Sequence, residues 1–188
     1  MSGKKSGSQA VVRALRLLKL FSDNTPQLSI AEVVQKTGLN RTTVFRLLSA
    51  LQTEGFIDRL PSGSYSLGGE SMALGSYALR HNALWQAAHP VLLDLSAEVN
   101  ERVTLEIPSP APNGAVSMLV VDEIAGSHRI GVRNFVGEHL PIHATSTGKA
   151  VLAFLPEMER DAIFDQQFES LTENTLVERG VISAEIAT

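Results

Sequence analysis

Hydrophobic positions recur along this chain first at helical and then at strand-like intervals. From Ala10 to Phe21 the apolar residues Val11, Val12, Leu15, Leu17, Leu18, Leu20 and Phe21 occupy most of a helix circumference, so one face can pack inward while another meets a second chain. The pattern between Ser29 and Leu67 is more regular. Ser29-Ile30-Ala31-Glu32 is a capping box, whose hydroxyl and carboxylate can each satisfy a free backbone N–H, and it predicts a helix start. Thr37-Gly38-Leu39 ends that helix, with Gly38 supplying a left-handed backbone. Asn40 caps a second helix running to about Glu54, and Gly55 stops it. On this helix Val44, Leu47, Leu48 and Leu51 have the spacing of a buried face, which turns Thr42, Arg46 and Ser49 to the other side with Phe45 on the edge. Phe56-Ile57-Asp58-Arg59-Leu60 and Ser64-Tyr65-Ser66-Leu67 read as short β runs joined by Pro61-Ser62-Gly63, a hairpin signal. Helix, tight turn, helix and hairpin is the order of a winged helix-turn-helix.

Beyond Gly68 the pattern changes. Residues 70–88 are rich in Ala, Leu, Met and Ser without Pro, which predicts one connecting helix ending before Pro90. It has few charges, and Met72, Leu79 and Trp85 need cover, either from the same helix of another chain or from the neighbouring domain. A helix from Pro90 to Asn100 follows, then a strand Arg102–Ile107 and a loop Pro108–Gly114 with three prolines and Asn113-Gly114 as its turn. A strand Ala115–Glu123, another near Arg129–Val132, and a helix starting at Thr145 and ending near Leu155 complete an α+β pattern with antiparallel pairing. The expected organisation is a Ser/Gly-rich disordered start at 1–8, a winged helix-turn-helix at 9–69, a linker helix at 70–88 and a second domain at 89–188.

Charge separates along the same boundary. Up to Gly68 there are 9 Lys and Arg against 4 Asp and Glu, a net +5; the remainder has 7 against 16, a net −9, consistent with −4 overall. A pI near 5.7 conceals a basic N-terminal part that is attracted to a polyanion and an acidic part that is repelled by one. The polar face of the second helix then suits a major groove. Arg46 can donate twice to guanine, Thr42 and Ser49 can donate or accept, and Phe45 can touch a base or sugar, or else pack against the wing. Arg41 and Thr43 at the helix start are placed for phosphates, and Arg59, Ser62, Gly63 and Ser64 for the backbone or minor groove. The competing reading is a plain three-helix unit that serves assembly.

The remaining chemistry is mostly exclusion. Absence of cysteine removes disulfides, thiol catalysis and thiolate metal sites together. No apolar run reaches the roughly 18 residues of a membrane span, and no hydrophobic leader is visible, so a cytoplasmic protein without membrane contact is expected. Thr145-Ser146-Thr147-Gly148-Lys149 opens a helix whose hydroxyls and free N–H groups suit a carboxylate. Ordinary capping, with Gly148 allowing close packing, explains the same residues. A P-loop reading fails, because Ala150 replaces the magnesium-binding Ser or Thr and His143 occupies an earlier Gly position. His139 and His143 are separated by Pro141, which breaks the helix that would align them for a metal, and His81, His89 and His128 lack acidic partners at ligand spacing. No cofactor, metal or catalytic constellation is expected, and hence no enzyme.

Six stretches carry a resemblance to a known family. Ala10 to Phe21, Gly38 to Leu48 (GLNRTTVFRLL), Glu54-Gly55-Phe56 with Tyr65-Ser66-Leu67-Gly68, and His89 to Leu95 with Leu140 to Leu155 (LPIHATSTGKAVLAFL) resemble the IclR family of bacterial transcription regulators. The resemblance implies a winged helix-turn-helix joined by a linker helix to a GAF-like sensor domain, acting as a homodimer or dimer of dimers on double-stranded promoter DNA. It also implies a small organic acid or aromatic effector that alters repression or activation. Phe45 departs from the family, where His or Tyr is more frequent. A second departure follows Leu171-Thr172-Glu173-Asn174-Thr175: in the family a helix and further strands complete the sensor sheet, whereas Leu176 to Thr188 cannot supply them. The sensor is therefore expected to be incomplete, with an open pocket and an unpaired sheet edge. The expected function is an effector-modulated DNA-binding regulator; the alternative is a small-molecule sensor or oligomerisation module without sequence-specific DNA binding.

Overall fold

Leu17, Leu28, Val33, Val44, Leu48, Leu51, Ile57 and Tyr65 come from separate stretches of the N-terminal part yet are all buried together. The computed structural model describes residues 6–111, 113–126 and 135–187, and divides the chain into two compact units, one up to Asn82 and one from Ala83. The first unit contains α1 (Ser6–Leu18), α2 (Ile30–Thr37), α3 (Arg41–Thr53), β1 (Ile57–Arg59), β2 (Tyr65–Leu67) and α4 (Gly69–Arg80). The capping box at α2 is complete: the Glu32 N–H donates to Ser29 Oγ at 3.3 Å and the Ser29 N–H to Glu32 Oε2 at 2.8 Å. Gly38 then adopts φ 66°, a left-handed conformation open to Gly without a Cβ penalty, and its N–H closes on the Val34 carbonyl at 2.9 Å. Asn40 Oδ1 accepts from the Thr43 N–H at 2.8 Å and starts α3. Strands β1 and β2 pair antiparallel, with Ile57 opposite Leu67 and Arg59 opposite Tyr65.

The second unit contains α5 (Ala83–Val99), β3 (Val103–Pro110), β4 (Val116–Ile124), β5 (His139–Pro141), α6 (Ser146–Phe154), α7 (Glu157–Phe164) and α8 (Arg179–Ile186). Its strands form an antiparallel sheet in the order β3-β4-β5. Helix α5 packs on β3 and β4, while α6 packs on β3, β4 and α8. Met118, Ile142, Leu152, Ile163, Phe164 and Ile182 are buried between these elements. The sheet is stitched by Ser117, whose Oγ lies 2.9 Å from the Ser109 carbonyl and 2.8 Å from His139 Nδ1. Each unit thus has its own apolar core.

Several expectations are corrected. The single helix over 70–88 is two helices, interrupted at His81 and Asn82, where the His81 N–H turns back to the Tyr77 carbonyl. The helix expected to start at Pro90 instead begins at Ala83 and carries Pro90 inside it; burial of Leu92 and Ser96 against the sheet outweighs the one ladder bond that Pro cannot make. The first strand of the unit continues through Pro108 to Pro110, because β3 lies at the edge of the described sheet and a Pro there forfeits no ladder bond on its open side. The expected three-proline loop accordingly shrinks to a turn in which the Ala111 N–H donates to the Ala115 carbonyl. His139 to Pro141, read only as part of a motif, forms β5. Residues 1–5 of the expected disordered start lie outside the described residues, while Ser6 to Ser8 belong to α1. The strand expected near Arg129–Val132, and His128, also lie outside them.

Candidate nucleic-acid interface and effector site

The buried side of α3 is formed by Val44, Leu48 and Leu51, and this rotation decides what the rest of the helix presents. Arg41, Thr42, Phe45 and Arg46 are exposed, and Thr43 and Ser49 are partly so. Phe45 is 51% exposed rather than packed into the core. The first N–H groups of α3, beside Arg41 and Thr42, point out of a helix start that Asn40 caps only at Thr43. In the wing, Arg59 and Ser62 are exposed and Gly63 and Ser64 partly so. The Leu60 N–H donates to the Ser64 carbonyl at 2.8 Å, and the Gly63 N–H to the Leu60 carbonyl at 2.9 Å, which closes the tip. The ten residues singled out on α3 and the wing therefore share one unit and reach solvent.

Leu28 is the part of this unit that sequence periodicity does not reveal. Its N–H and carbonyl bond the Tyr65 carbonyl and N–H at 2.9 and 2.8 Å, adding a third extended segment beside β2. A single apolar residue between Gln27 and Ser29 has no alternation to announce a strand. The contact matters because it fixes the wing against the stretch that leads into α2.

In the second unit Thr145 is the N-cap of α6, its Oγ1 accepting from the Gly148 N–H at 3.1 Å. Gly148 is buried against the backbone of Ile142, and a methyl group there would run into the Ile142 carbonyl. Thr147 Oγ1 donates to Glu106 Oε2 at 2.5 Å, and Thr104 Oγ1 donates to Glu106 Oε1 at 3.1 Å. Ser146 is exposed. Lys149 leaves this group, because its ammonium pairs with Glu185 on α8 at 2.9 Å. Thr145 to Gly148 thus come together at one helix start, with Lys149 directed elsewhere and the Glu106 carboxylate added. The only sequence sign of Glu106 is one acid within an otherwise apolar and Thr-containing strand.

The histidines have separate tasks. His139 bonds Ser117 inside the sheet, while His143 is buried, stacks on Phe168 at 4.4 Å and lies 3.0 Å from the Glu169 carbonyl through Nε2. His89 Nδ1 lies 2.6 Å from Asp122 Oδ2, a pairing across 33 residues that spacing cannot show. Among the described residues no group of three His, Asp or Glu is arranged for a metal ion, and no helix is long and apolar enough to cross a membrane.

Comparison with known proteins covers both units. The IclR helix-turn-helix domain matches residues 10–61, and the bacterial transcriptional regulator IclR C-terminal domain matches residues 76–188. The HTH-type transcriptional regulator Rv1719 of Mycobacterium tuberculosis is 32% identical over 184 residues, 97% of this chain and 68% of that protein. An IclR transcriptional regulator from Silicibacter sp. TM1040 superposes with a TM-score of 0.80 at 27% identity, over 95% of this chain and 69% of the other. An IclR homolog from Microbacterium hydrocarbonoxydans, solved in complex with 4-hydroxybenzoate, shares the fold with a TM-score of 0.76 at 20% identity, over 95% of this chain and 72% of the other. The chain spans 61% to 70% of the length of such curated relatives, among them the transcriptional repressor IclR of Escherichia coli at 61%. A winged first unit, an α+β second unit and matches across both place the chain in the IclR family of bacterial transcriptional regulators.

Proposed function

We propose that this protein is a cytoplasmic, DNA-binding transcriptional regulator whose hold on promoter DNA is modulated by a small organic effector. The observation that carries this reading is the outward face of α3, where an exposed Arg46 stands among Thr42, Phe45 and Ser49 in the same unit as a wing that exposes Arg59. In a major groove Arg46 grips a guanine, Thr42 and Ser49 contact base edges, and Phe45 offers an apolar surface that a thymine methyl fits. Arg41 and Thr43, with the helix start, hold phosphates; Arg59 and the tip Ser62, Gly63 and Ser64 follow the adjoining backbone. The exposed stripe of Val11, Val12 and Leu15 on α1, with Met72, Leu74 and Tyr77 on α4, supports a homodimer, so that two α3 helices meet a two-fold site.

The effector, an organic acid or an aromatic compound, contacts the first turn of α6 through Thr145, Ser146, Thr147 and Gly148. An acid entering there displaces the Glu106 carboxylate from Thr147. The family, whose named relatives are regulators, supports a role without catalysis.

The test is selection of genomic fragments by the purified 188-residue chain, followed by footprinting of the best fragment at two salt concentrations. A protected two-fold site is the expected result. Only diffuse binding that salt abolishes would sink sequence-specific regulation and favour an assembly or sensing module.

A further inference from the structure

Two hydrogen-bonded carboxylates flank one irregularity in the sheet of the second unit. Strands β3 and β4 pair Leu105 with Asp122 but Glu106 with Val120, so Val121 is an extra residue and the ladder bulges there. On one side of the bulge Asp122, 9% exposed, meets His89 Nδ1 at 2.6 Å and ties α5 to β4. The ring of Trp85 stacks on this imidazole at 4.6 Å, and Asp122 Oδ1 also accepts from the Glu123 N–H at 2.9 Å, so both partners of the pair have a second contact that holds them. On the other side Glu106 receives the hydroxyls of Thr104 and of Thr147, which ties β3 to the first turn of α6.

We propose that His89 and Glu106 are positioning residues that couple the first turn of α6 to α5 through the bulge at Val121. A regular ladder resists local change because every residue is paired, whereas a bulge holds an unpaired residue and can alter its local twist while the rungs on either side stay formed. Release of Thr147 from Glu106 therefore changes how β4 presents Asp122, and with it how α5 is held. Helix α5 begins at Ala83, directly after the boundary between the two units, so this is the element through which a change at the effector site enters the connection to the DNA-binding unit. The use of the coupling by an effector rests on the reading above; the coupling itself belongs to the free chain.

Hydrogen exchange of the 188-residue chain, read by NMR without DNA or ligand, tests it. The reporters at α6 are the Gly148 N–H, bonded to the Thr145 hydroxyl, and the Lys149 N–H, bonded to the Thr145 carbonyl. His89→Leu is expected to speed exchange at both on the order of fivefold or more, the lower end of coupling between linked sites, with Ile182 on α8 unchanged. Because coupling is reciprocal, Thr147→Val speeds exchange along residues 92–96 of α5 by a comparable factor. Lys149→Met, in the same turn but paired with α8, leaves α5 as it was. The Thr147 arm stands alone if His89→Leu does not fold. The proposal is overturned if each variant acts only on its own helix, if exchange rises uniformly through the unit including α8, or if Lys149→Met loosens α5 as Thr147→Val does. None of these readouts involves DNA, so loss of the coupling and loss of the regulator reading are separately visible.

Discussion

At the scale of single residues, orientation decides what a side chain can do. Arg46 extends from the face of α3 opposite Val44, Leu48 and Leu51, where its planar guanidinium is free of the core and can act as a double donor. Replacing it with Ala is expected to weaken operator binding by about 1–3 kcal/mol and to relax preference at one base pair per half-site. Titration against a set of single-base variants of the footprinted site checks this, and an equal loss on every variant would make Arg46 a phosphate contact. Gly148 is the second decisive position, because the backbone of Ile142 occupies the space a Cβ needs. Gly148→Ala should destabilise the second unit by about 1–3 kcal/mol, the usual range for overpacking, seen as a lower urea midpoint with the first unit unaffected. This contact is the close packing expected for the glycine from sequence.

At the scale of elements, local signals were the most legible. The capping box, the left-handed Gly38 and the Asn40 cap are interactions between residues at most four apart, so the residues that make them also announce them. One consequence is a pH dependence in α2. The Ser29 backbone N–H and then its hydroxyl hold the Glu32 carboxyl below the ordinary glutamate range. A depressed folded-state value means that the stabilisation is complete above the unfolded glutamate value and is lost as pH falls through the folded one. Glu32→Gln should therefore lower the Tm at neutral pH, and the gap to the parent protein should close as pH is taken below about 4. A gap independent of pH would show that the charge on Glu32 contributes nothing. The break at His81 and Asn82 and the passage of α5 through Pro90 were not legible in this way, since Pro90 is a local stop signal overridden by burial of Leu92 and Ser96 on a sheet formed later in the chain.

At the scale of the whole molecule, charge and apolar surface set what the chain associates with. Val11, Val12 and Leu15 form an exposed stripe on α1, with Leu15 53% exposed, and a homodimer would cover it. Leu15→Glu is expected to shift the sedimentation equilibrium toward monomer and to weaken binding to a two-fold operator more than to an isolated half-site. A dimer that survives this change would place the contact elsewhere, with α4 the next surface to alter. The sequence alone determined the winged order of elements, the partition of charge and the outward set on α3, because periodicity and caps act over one or two turns of chain. It also carried the motifs by which the family is recognised. Tertiary structure alone decided that Leu28 joins the wing, that Lys149 turns to Glu185, and that Glu106 and Asp122 reach Thr147 and His89 across a bulge. These contacts span from 33 residues of chain, between His89 and Asp122, to 41, between Glu106 and Thr147, and depend on strand register, which no local pattern encodes.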